Sequence, residues 1–181
     1  MNKKIMLALV TAFLLACNAL LPPTSAPERI VPPPTESALQ PNEDQEVTST
    51  SFTVVRLHVG DGDLQTMLTQ EAQKAIALGQ MPVVEFDATW CPPCQVIDEG
   101  LASKNELLLN AYAGTYIIKM DVDEWGWGDS SLHDFDFDCI SVYFKLDAHG
   151  HPTGEVIDGN AWGDNIPENI APPMDEFFHG D

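Results

Sequence analysis

The sequence predicts an α/β domain built on a central mixed β-sheet flanked by helices. Short runs rich in β-branched and aromatic residues alternate with stretches whose apolar residues recur every three or four positions. The last two apolar runs are separated by a tight turn, which is typical of an antiparallel hairpin, so the sheet is expected to be mixed. The chain has 181 residues, of which 44% are hydrophobic, and this is enough for the core of one domain of ordinary size.

The first two strands and the first helix are predicted between residues 52 and 88. Residues 52–58 are short and β-branched, as strands are. Asp61-Gly62-Asp63 offers a helix cap, and the apolar residues that follow have helical spacing until Gly79. Residues 82–88 form a mostly apolar run of the kind that is buried in the middle of a sheet.

Two further helices and a strand are predicted next. A helix should begin at Cys91, because Pro92 then occupies the first-turn position that tolerates proline. Ser103 and Glu106 have the spacing of a capping box, which predicts a helix that starts there and ends near Gly114. Residues 116–120 predict another strand.

The chain is expected to end in a β-hairpin and a short helix. Residues 140–146 and 154–157 are apolar runs joined by a turn at residues 147–150. A short helix is predicted near residues 172–178. The order is β-α-β-α-β followed by β-β-α, which is an α/β arrangement.

The first 16 residues are expected to be a secretory signal peptide. Two lysines, an apolar run and then small residues are typical of such a peptide, and the run is too short to span a membrane comfortably. Leu14-Leu15-Ala16-Cys17 resembles the lipobox of bacterial lipoproteins, in which the chain is cut before the Cys and that Cys is lipidated. Ordinary cleavage nearby and an uncleaved anchor are the alternatives.

Residues 17–50 are expected to tether the domain, residues 51–181, to a membrane. Prolines recur there among Thr, Ser, Glu and Gln without apolar periodicity, and such a segment is extended and solvated. The expected localisation is the bacterial cell envelope, lipid-anchored and facing the periplasm. Asn18 stands after Cys17 in place of the Asp that resembles an inner-membrane retention signal, which favours the outer membrane.

The strongly acidic balance argues against nucleic acid as a partner. The net charge is −20, with 8 Lys and Arg against 28 Asp and Glu, whereas nucleic acid demands neutralising cations. Loss of Lys3 and Lys4 with the signal peptide would take the charge to −22. The membrane contact expected here is therefore the lipid at Cys17 and not a basic patch.

Cys91 and Cys94 form a CxxC pair between the end of a predicted strand and the start of a predicted helix. The first thiol would lie at the helix N-terminus, where free N–H groups and the helix dipole stabilise a thiolate. One turn separates the two sulfurs, so a disulfide can open or close with little backbone movement. A zinc half-site and a structural disulfide are the competing interpretations. Zinc needs two further ligands, and the domain offers only Cys139 and no His pair at a suitable spacing, so we predict a redox pair without metal or cofactor.

The segment Glu85-Phe86-Asp87-Ala88-Thr89-Trp90-Cys91-Pro92-Pro93-Cys94 resembles the active-site segment of the thioredoxin superfamily, and most closely that of periplasmic thiol:disulfide interchange domains. The resemblance covers roughly residues 52–157. It implies a thioredoxin-like fold in which Cys91 attacks, Cys94 resolves and Trp90 shields the site. It further implies that Glu85 is a buried carboxylate that helps to deprotonate the second thiol, and that Lys119 pairs with it. Without the resemblance, Glu85 is a charge in an apolar strand that needs a partner, and Lys119 is the natural candidate.

The expected substrate-contact residues are Pro92, Pro93, Ile140 and Ser141. Ser141 departs from the family, which has a cis-proline at the corresponding position, where its backbone meets the substrate. Because a non-proline residue seldom adopts the cis form, Ser141 is expected to follow a trans bond. This departure bears on substrate docking and could also open the site to a metal ion.

Cys139 is expected to lie near the redox pair. Three interpretations stay open for it: a buried small hydrophobe, a regulatory or dimer-forming thiol, or a transient resolving thiol or metal ligand. The preceding segment, from Asp121 to Asp138, mixes acidic and aromatic residues. It begins like a calcium loop but lacks ligands at Trp125 and Leu132, so a solvated and partly packed loop, or a partner-recognition surface, is favoured.

The sequence therefore predicts a membrane-tethered thiol-disulfide oxidoreductase that acts on protein or peptide disulfides with an unknown redox partner. The acidic surface disfavours a thiolate, which lowers the reduction potential and favours a reductase or isomerase direction. The alternative is a non-catalytic binding or assembly lipoprotein, with a structural Cys91–Cys94 disulfide and an acidic, Trp-rich loop that binds a partner or Ca²⁺.

Overall fold

A computed structural model describes residues 51–127, 132 and 134–180. The predicted signal peptide, the predicted lipidation site Cys17 and the predicted tether of residues 17–50 lie outside the described residues. The helices and strands are, in chain order, β1 Thr53–Arg56, α1 Leu64–Ala77, β2 Met81–Asp87, α2 Pro92–Ala102, α3 Glu106–Ala111, β3 Thr115–Asp121, α4 Val122–Trp125, β4 Val142–Leu146, β5 Pro152–Asp158 and α5 Pro167–His179.

The five strands form one mixed sheet, as predicted. Their order is β1-β3-β2-β4-β5. β1 and β2 each pair with β3 in parallel, whereas β4 pairs antiparallel with both β2 and β5. β2 therefore lies at the centre of the sheet, and its carboxyl end leads directly into the CxxC motif.

Alternation along the central strands divides the core into two layers. Val84 and Phe86 of β2 belong to the layer that contains residues of α1 and both motif cysteines. Val83 belongs to the opposite layer, with residues of α2, α3 and α5. Glu85 stands two residues after Val83, so its side chain points to the same side of the sheet as Val83, and it is 1% exposed.

Two helix boundaries differ from the prediction for local reasons. Asn105, and not Ser103, caps α3, because its side chain accepts hydrogen bonds from the N–H groups of Leu107 and Leu108. Ser103 instead ends α2. The short helix α4 was not predicted; its cap is the Asp121 side chain, which accepts from the N–H of Asp123.

The last helix is longer than predicted. α5 begins at Pro167 and continues through Pro172 and Pro173, although internal prolines remove helix hydrogen bonds. Its buried face, which includes Met174 and Phe178, packs in the core layer of α2 and α3, so tertiary packing outweighs the local cost. In the part of the chain that the structure describes, no helix has the length and apolarity needed to cross a membrane.

Candidate redox site

The CxxC motif closes a disulfide at the start of α2. Cys91 is the N-cap of this helix and Pro92 is its first residue, as predicted. The Cys91–Cys94 disulfide has an S–S distance of 2.02 Å and a Cα–Cα distance of 5.3 Å. The backbone N–H of Cys94 donates to Cys91 Sγ at 3.3 Å. The helix thus directs one of its free N–H groups at the first sulfur, where it stabilises negative charge.

Both cysteines are covered in this disulfide form. Cys91 is 1% exposed and Cys94 is 2% exposed, and both belong to the core layer of α1. Of the two intervening prolines, Pro92 is exposed and Pro93 is buried. The surface that a partner meets at the motif is therefore formed by Pro92 and by the neighbouring Trp90.

Trp90 lies on this surface in a fixed orientation. Its residue is 53% exposed, and its indole Nε1 donates to Asp123 Oδ2 at 2.7 Å. Its ring stacks on that of Trp127, with centroids 6.4 Å apart and planes 20° apart. Asp123 and Trp127 were not predicted as site residues, although both stand in the acidic, aromatic segment that follows β3.

Glu85 and Lys119 meet across the sheet, as expected from their predicted strands. They are direct partners in the register of β2 and β3, and Lys119 Nζ lies 3.5 Å from Glu85 Oε1. Two carboxylates lie closer to the same ammonium group: Asp87 Oδ2 at 3.1 Å and Asp98 Oδ1 at 2.5 Å. Lys119 is therefore shared among three carboxylates instead of pairing with Glu85 alone.

Arg56 completes this carboxylate–lysine cluster, which consists of Arg56, Glu85, Asp87, Asp98 and Lys119. The guanidinium of Arg56 binds Asp87 through two hydrogen bonds, at 2.9 and 2.6 Å. Arg56, Asp87 and Asp98 line an open cavity of about 260 Å³, whereas Glu85 and Lys119 are buried and do not line it. Asp87 and Asp98 were missed because each looks like an ordinary acidic residue in the sequence.

The surroundings of Glu85 disfavour its ionised form. Its Oε1 is buried and accepts no hydrogen bond from the described residues. Burial raises the pKa of Glu85 to about 7; Asp87 and Asp98 add to the rise, while Lys119 and Tyr143 oppose it. Burial also lowers the pKa of Lys119, but the three neighbouring carboxylates outweigh this effect and raise it, so Lys119 stays charged.

Two buried tyrosines lie beyond Glu85. Tyr143 is the register partner of Glu85 in β4, and its hydroxyl accepts a hydrogen bond from Tyr112 at 2.9 Å. Burial raises the pKa of both phenols well above the ordinary value, so both remain protonated. This tyrosine pair was not predicted, although the alternation of residues 140–146 places Tyr143 on the Glu85 side of the sheet.

The expectation of a trans bond before Ser141 is wrong. The Ile140–Ser141 peptide bond is cis. The local preference of a non-proline residue for the trans form does not take tertiary contacts into account. In the fold, Ser141 is fully buried, and its carbonyl accepts a hydrogen bond from the N–H of Gly159 at 3.1 Å. Ile140 packs against the core layer that contains Cys91 and Cys94, so residues 140 and 141 do lie at the motif's end of the sheet.

Cys139 is a free, half-buried cysteine beside this bond. The side-chain amide of Asn160 donates to its sulfur at 3.5 Å. Burial and the carboxylates of Asp158 and Asp138 raise the pKa of Cys139 to about 11. The thiol is therefore protonated at neutral pH, which does not suit a nucleophile.

The segment between β3 and β4 is partly packed, as expected. Leu132 and Phe135 are buried, and Phe137 stacks on Phe86 with a centroid distance of 4.5 Å. The calcium-loop alternative rests in part on residues 128–131 and 133, which lie outside the described residues. Among the described ones, no group of three or more His, Cys, Asp or Glu side chains is placed to hold a metal ion.

Thioredoxins are among the sequence relatives of this chain. Thioredoxin-1 of Schizosaccharomyces pombe is 38% identical over 56 residues, which are 31% of this chain and 50% of that protein. Thioredoxin H4 of Arabidopsis thaliana is 28% identical over 105 residues, or 58% of this chain and 75% of that protein. The chain thus spans about half the length of the first relative and three quarters of the second. No protein-family model matches the chain.

Among solved structures, a disulphide isomerase from Xylella fastidiosa is similar over 68% of this chain and 95% of its own, with 17% identity and a TM-score of 0.42. The resemblance to the thioredoxin superfamily that the motif indicated is confirmed by the sequence relatives. The five-stranded mixed sheet with flanking helices is a thioredoxin-like fold, and it carries a disulfide at CxxC spacing.

Proposed function

We propose that this chain, with thioredoxins as its sequence relatives and a thioredoxin-like fold, is a thiol-disulfide oxidoreductase. The observation that carries the proposal is the position of Cys91 Sγ at the N-terminus of α2, where it accepts the N–H of Cys94 and is bonded to Cys94 Sγ. This contact stabilises a thiolate at the first sulfur once the disulfide is reduced.

The reaction would use both cysteines in turn. The Cys91 thiolate attacks one sulfur of a substrate disulfide, which forms a mixed disulfide and releases the other substrate sulfur as a thiolate that takes up a proton. The Cys94 thiolate then attacks Cys91 Sγ, which closes the Cys91–Cys94 disulfide and releases the second substrate thiol. Two electrons pass from the cysteine pair to the substrate, and a dithiol reductant must restore the pair.

Glu85 would accept the proton of Cys94 before the second step. A base is most effective when its pKa is near the working pH, and the pKa of Glu85 is about 7. Lys119 would limit the rise in the pKa of Glu85, because its positive charge favours the ionised carboxylate and so opposes the effect of burial. These roles are the ones implied by the resemblance of residues 85–94 to the active-site segment of the thioredoxin superfamily.

The substrate chain would meet the exposed Pro92 and Trp90 and the backbone at Ile140 and Ser141. Protein or peptide disulfides are the proposed substrates. A reductase or isomerase direction is proposed because the net charge of −20 disfavours the thiolate form of the pair and so lowers its potential.

The test is the reduction of insulin by the purified protein, with dithiothreitol as the reductant. Cys91→Ser should abolish the activity, and Cys94→Ser should accumulate the mixed disulfide with the substrate. Cys139→Ser is the matched control, since it removes a thiol outside the motif. Activity that survives in Cys91→Ser would end this mechanism and favour a structural disulfide.

We also propose that the protein is anchored to the bacterial envelope by lipid at Cys17 and faces the periplasm. Asn18 after Cys17 favours the outer membrane over the inner membrane. The support is the sequence of residues 1–17 and the proline-rich segment after it. Labelling with radioactive palmitate, followed by membrane fractionation, should give a labelled protein that loses its label in Cys17→Ala and keeps it in Cys139→Ala. Label that persists in Cys17→Ala would refute the anchor.

A further inference from the structure

An exposed aromatic surface lies beside the disulfide motif. Trp90 is 53% exposed and Trp127 is 46% exposed, and their rings stack with planes only 20° apart. Phe137 borders Trp127 at a centroid distance of 5.9 Å. We call these three side chains the aromatic platform. Large apolar side chains that remain exposed together mark an interaction surface more often than isolated ones do.

The platform is held in place before any partner arrives. Asp123 accepts the hydrogen bond of the Trp90 indole at 2.7 Å, and Phe137 stacks on the buried Phe86 at 4.5 Å. A partner that covers the two tryptophans therefore removes apolar area from water without having to order these rings.

The platform has an acidic rim. Asp123 touches Trp90 directly, and the exposed Asp136 and Asp138 flank Phe137 in the chain. From Asp121 to Asp138 the sequence contains seven acidic residues and neither Lys nor Arg. A cationic side chain is attracted both to the face of a Trp ring and to a neighbouring carboxylate, whereas an acidic segment would be repelled.

We propose that the aromatic platform and its acidic rim bind a basic segment next to the substrate's cystine, with an Arg or Lys side chain over a tryptophan face. This inference rests on the proposed function, because it names the substrates of the same site: proteins whose disulfides are flanked by Arg or Lys. Trp127, Asp136 and Asp138 are then specificity-determining residues and take no part in the thiol exchange.

The test compares three peptides that share one internal cystine and carry Arg, Ser or Glu at the flanking positions. The purified protein should reduce the Arg peptide with a kcat/KM about three- to tenfold above that of the Ser peptide, and the Glu peptide more slowly than both. Added salt should shrink this preference, since it screens exposed charges.

Variants locate the preference. Trp127→Ala and Asp136→Asn should each lower the ratio of the Arg rate to the Ser rate, and Trp127→Phe should retain most of it because an aromatic face remains. Asp175→Asn is the matched charge control: Asp175 lines a cavity with Met81 and Thr115, at the opposite end of the strands from the motif. The ratio should not change in this control.

Equal rates for the three peptides, or a preference that persists in Trp127→Ala, would overturn the inference while leaving the oxidoreductase intact. If the protein reduces no peptide at all, the proposed function fails. Isothermal titration calorimetry with an Arg-flanked peptide whose cysteines are replaced by serine then tests binding to the aromatic platform independently of activity. Binding that weakens in Trp127→Ala supports the platform, and absence of binding to the wild-type protein refutes it.

Discussion

Replacing Glu85 with Gln should make the protein more stable at pH 8 and should hardly change its stability at pH 4.5. Glu85 is 1% exposed, and its Oε1 accepts no hydrogen bond from the described residues. Burial raises its pKa from the ordinary 4.5 to about 7. A neutral amide of nearly the same shape removes the cost of ionising this group inside the fold.

The magnitude follows from the difference between the folded and unfolded pKa. Each pKa unit corresponds to about 1.36 kcal/mol, so the rise from 4.5 to about 7 corresponds to about 3 kcal/mol. Between these pH values the folded state binds more protons than the unfolded state, and the free energy of unfolding of the wild type therefore falls as the pH rises. The loss is complete above pH 7 and absent below pH 4.5.

The assay is urea unfolding of the oxidised protein at half-unit steps from pH 4.5 to 8. Titrating groups that do not interact with Glu85 cancel in the difference between Glu85→Gln and the wild type, and this difference should grow to about 3 kcal/mol at pH 8. Glu176→Gln, at an exposed position of α5, is the control for the loss of a surface carboxylate. A Glu85→Gln difference that stays constant with pH would refute the conclusion that Glu85 ionises at a cost in the fold.

Asp98, Gly150 and Cys139 each give a further prediction. Asp98→Asn removes a charge that raises the pKa of Glu85, so the pH-dependent loss of stability assigned to Glu85 should be smaller. A larger loss, measured by urea unfolding, would contradict the conclusion that Asp98 raises the pKa of Glu85. Gly150→Ala places a Cβ 2.6 Å from backbone atoms of α1, whereas Gly154→Ala meets nothing within 4 Å, although both residues have positive φ. The first should therefore lower the free energy of unfolding by about 1–3 kcal/mol more than the second, and equal losses would show that the close contact is unimportant. Cys139, with its pKa raised to about 11, should react slowly with iodoacetamide at pH 7 and about tenfold faster per pH unit up to pH 10, as peptide mass spectrometry can measure; fast labelling at pH 7 would indicate a thiolate.

The core of the site could be predicted because its residues obey local rules. Cys91 and Pro92 mark the start of α2 by spacing and by helix-end chemistry alone. The partnership of Glu85 and Lys119 could be predicted because each is a charged residue inside a mostly apolar strand, and the structure places the two directly opposite each other in the sheet.

The remainder depends on tertiary contacts that no local pattern reveals. Asp98 reaches Lys119 from a different element, α2, and nothing in its neighbourhood in the chain distinguishes it from an ordinary surface acid. The cis bond before Ser141 and the continuation of α5 through Pro172 both oppose local preferences and were therefore mispredicted. The N-cap of α3 is Asn105, two residues after the predicted Ser103, which is the size of error to which helix ends are prone.

The claim that Cys91 and Cys94 form a reversible redox pair is tested most directly by a redox titration. The protein is equilibrated in dithiothreitol and glutathione buffers of known potential, trapped with an alkylating reagent and analysed by peptide mass, so that Cys91 and Cys94 are followed separately from Cys139. We predict one reversible two-electron transition with a midpoint between about −300 and −180 mV. A pair that stays oxidised in buffers poised below about −300 mV would be a structural disulfide, and a midpoint near about −120 mV would be that of a strong oxidant; the first result contradicts the redox function and the second its proposed direction.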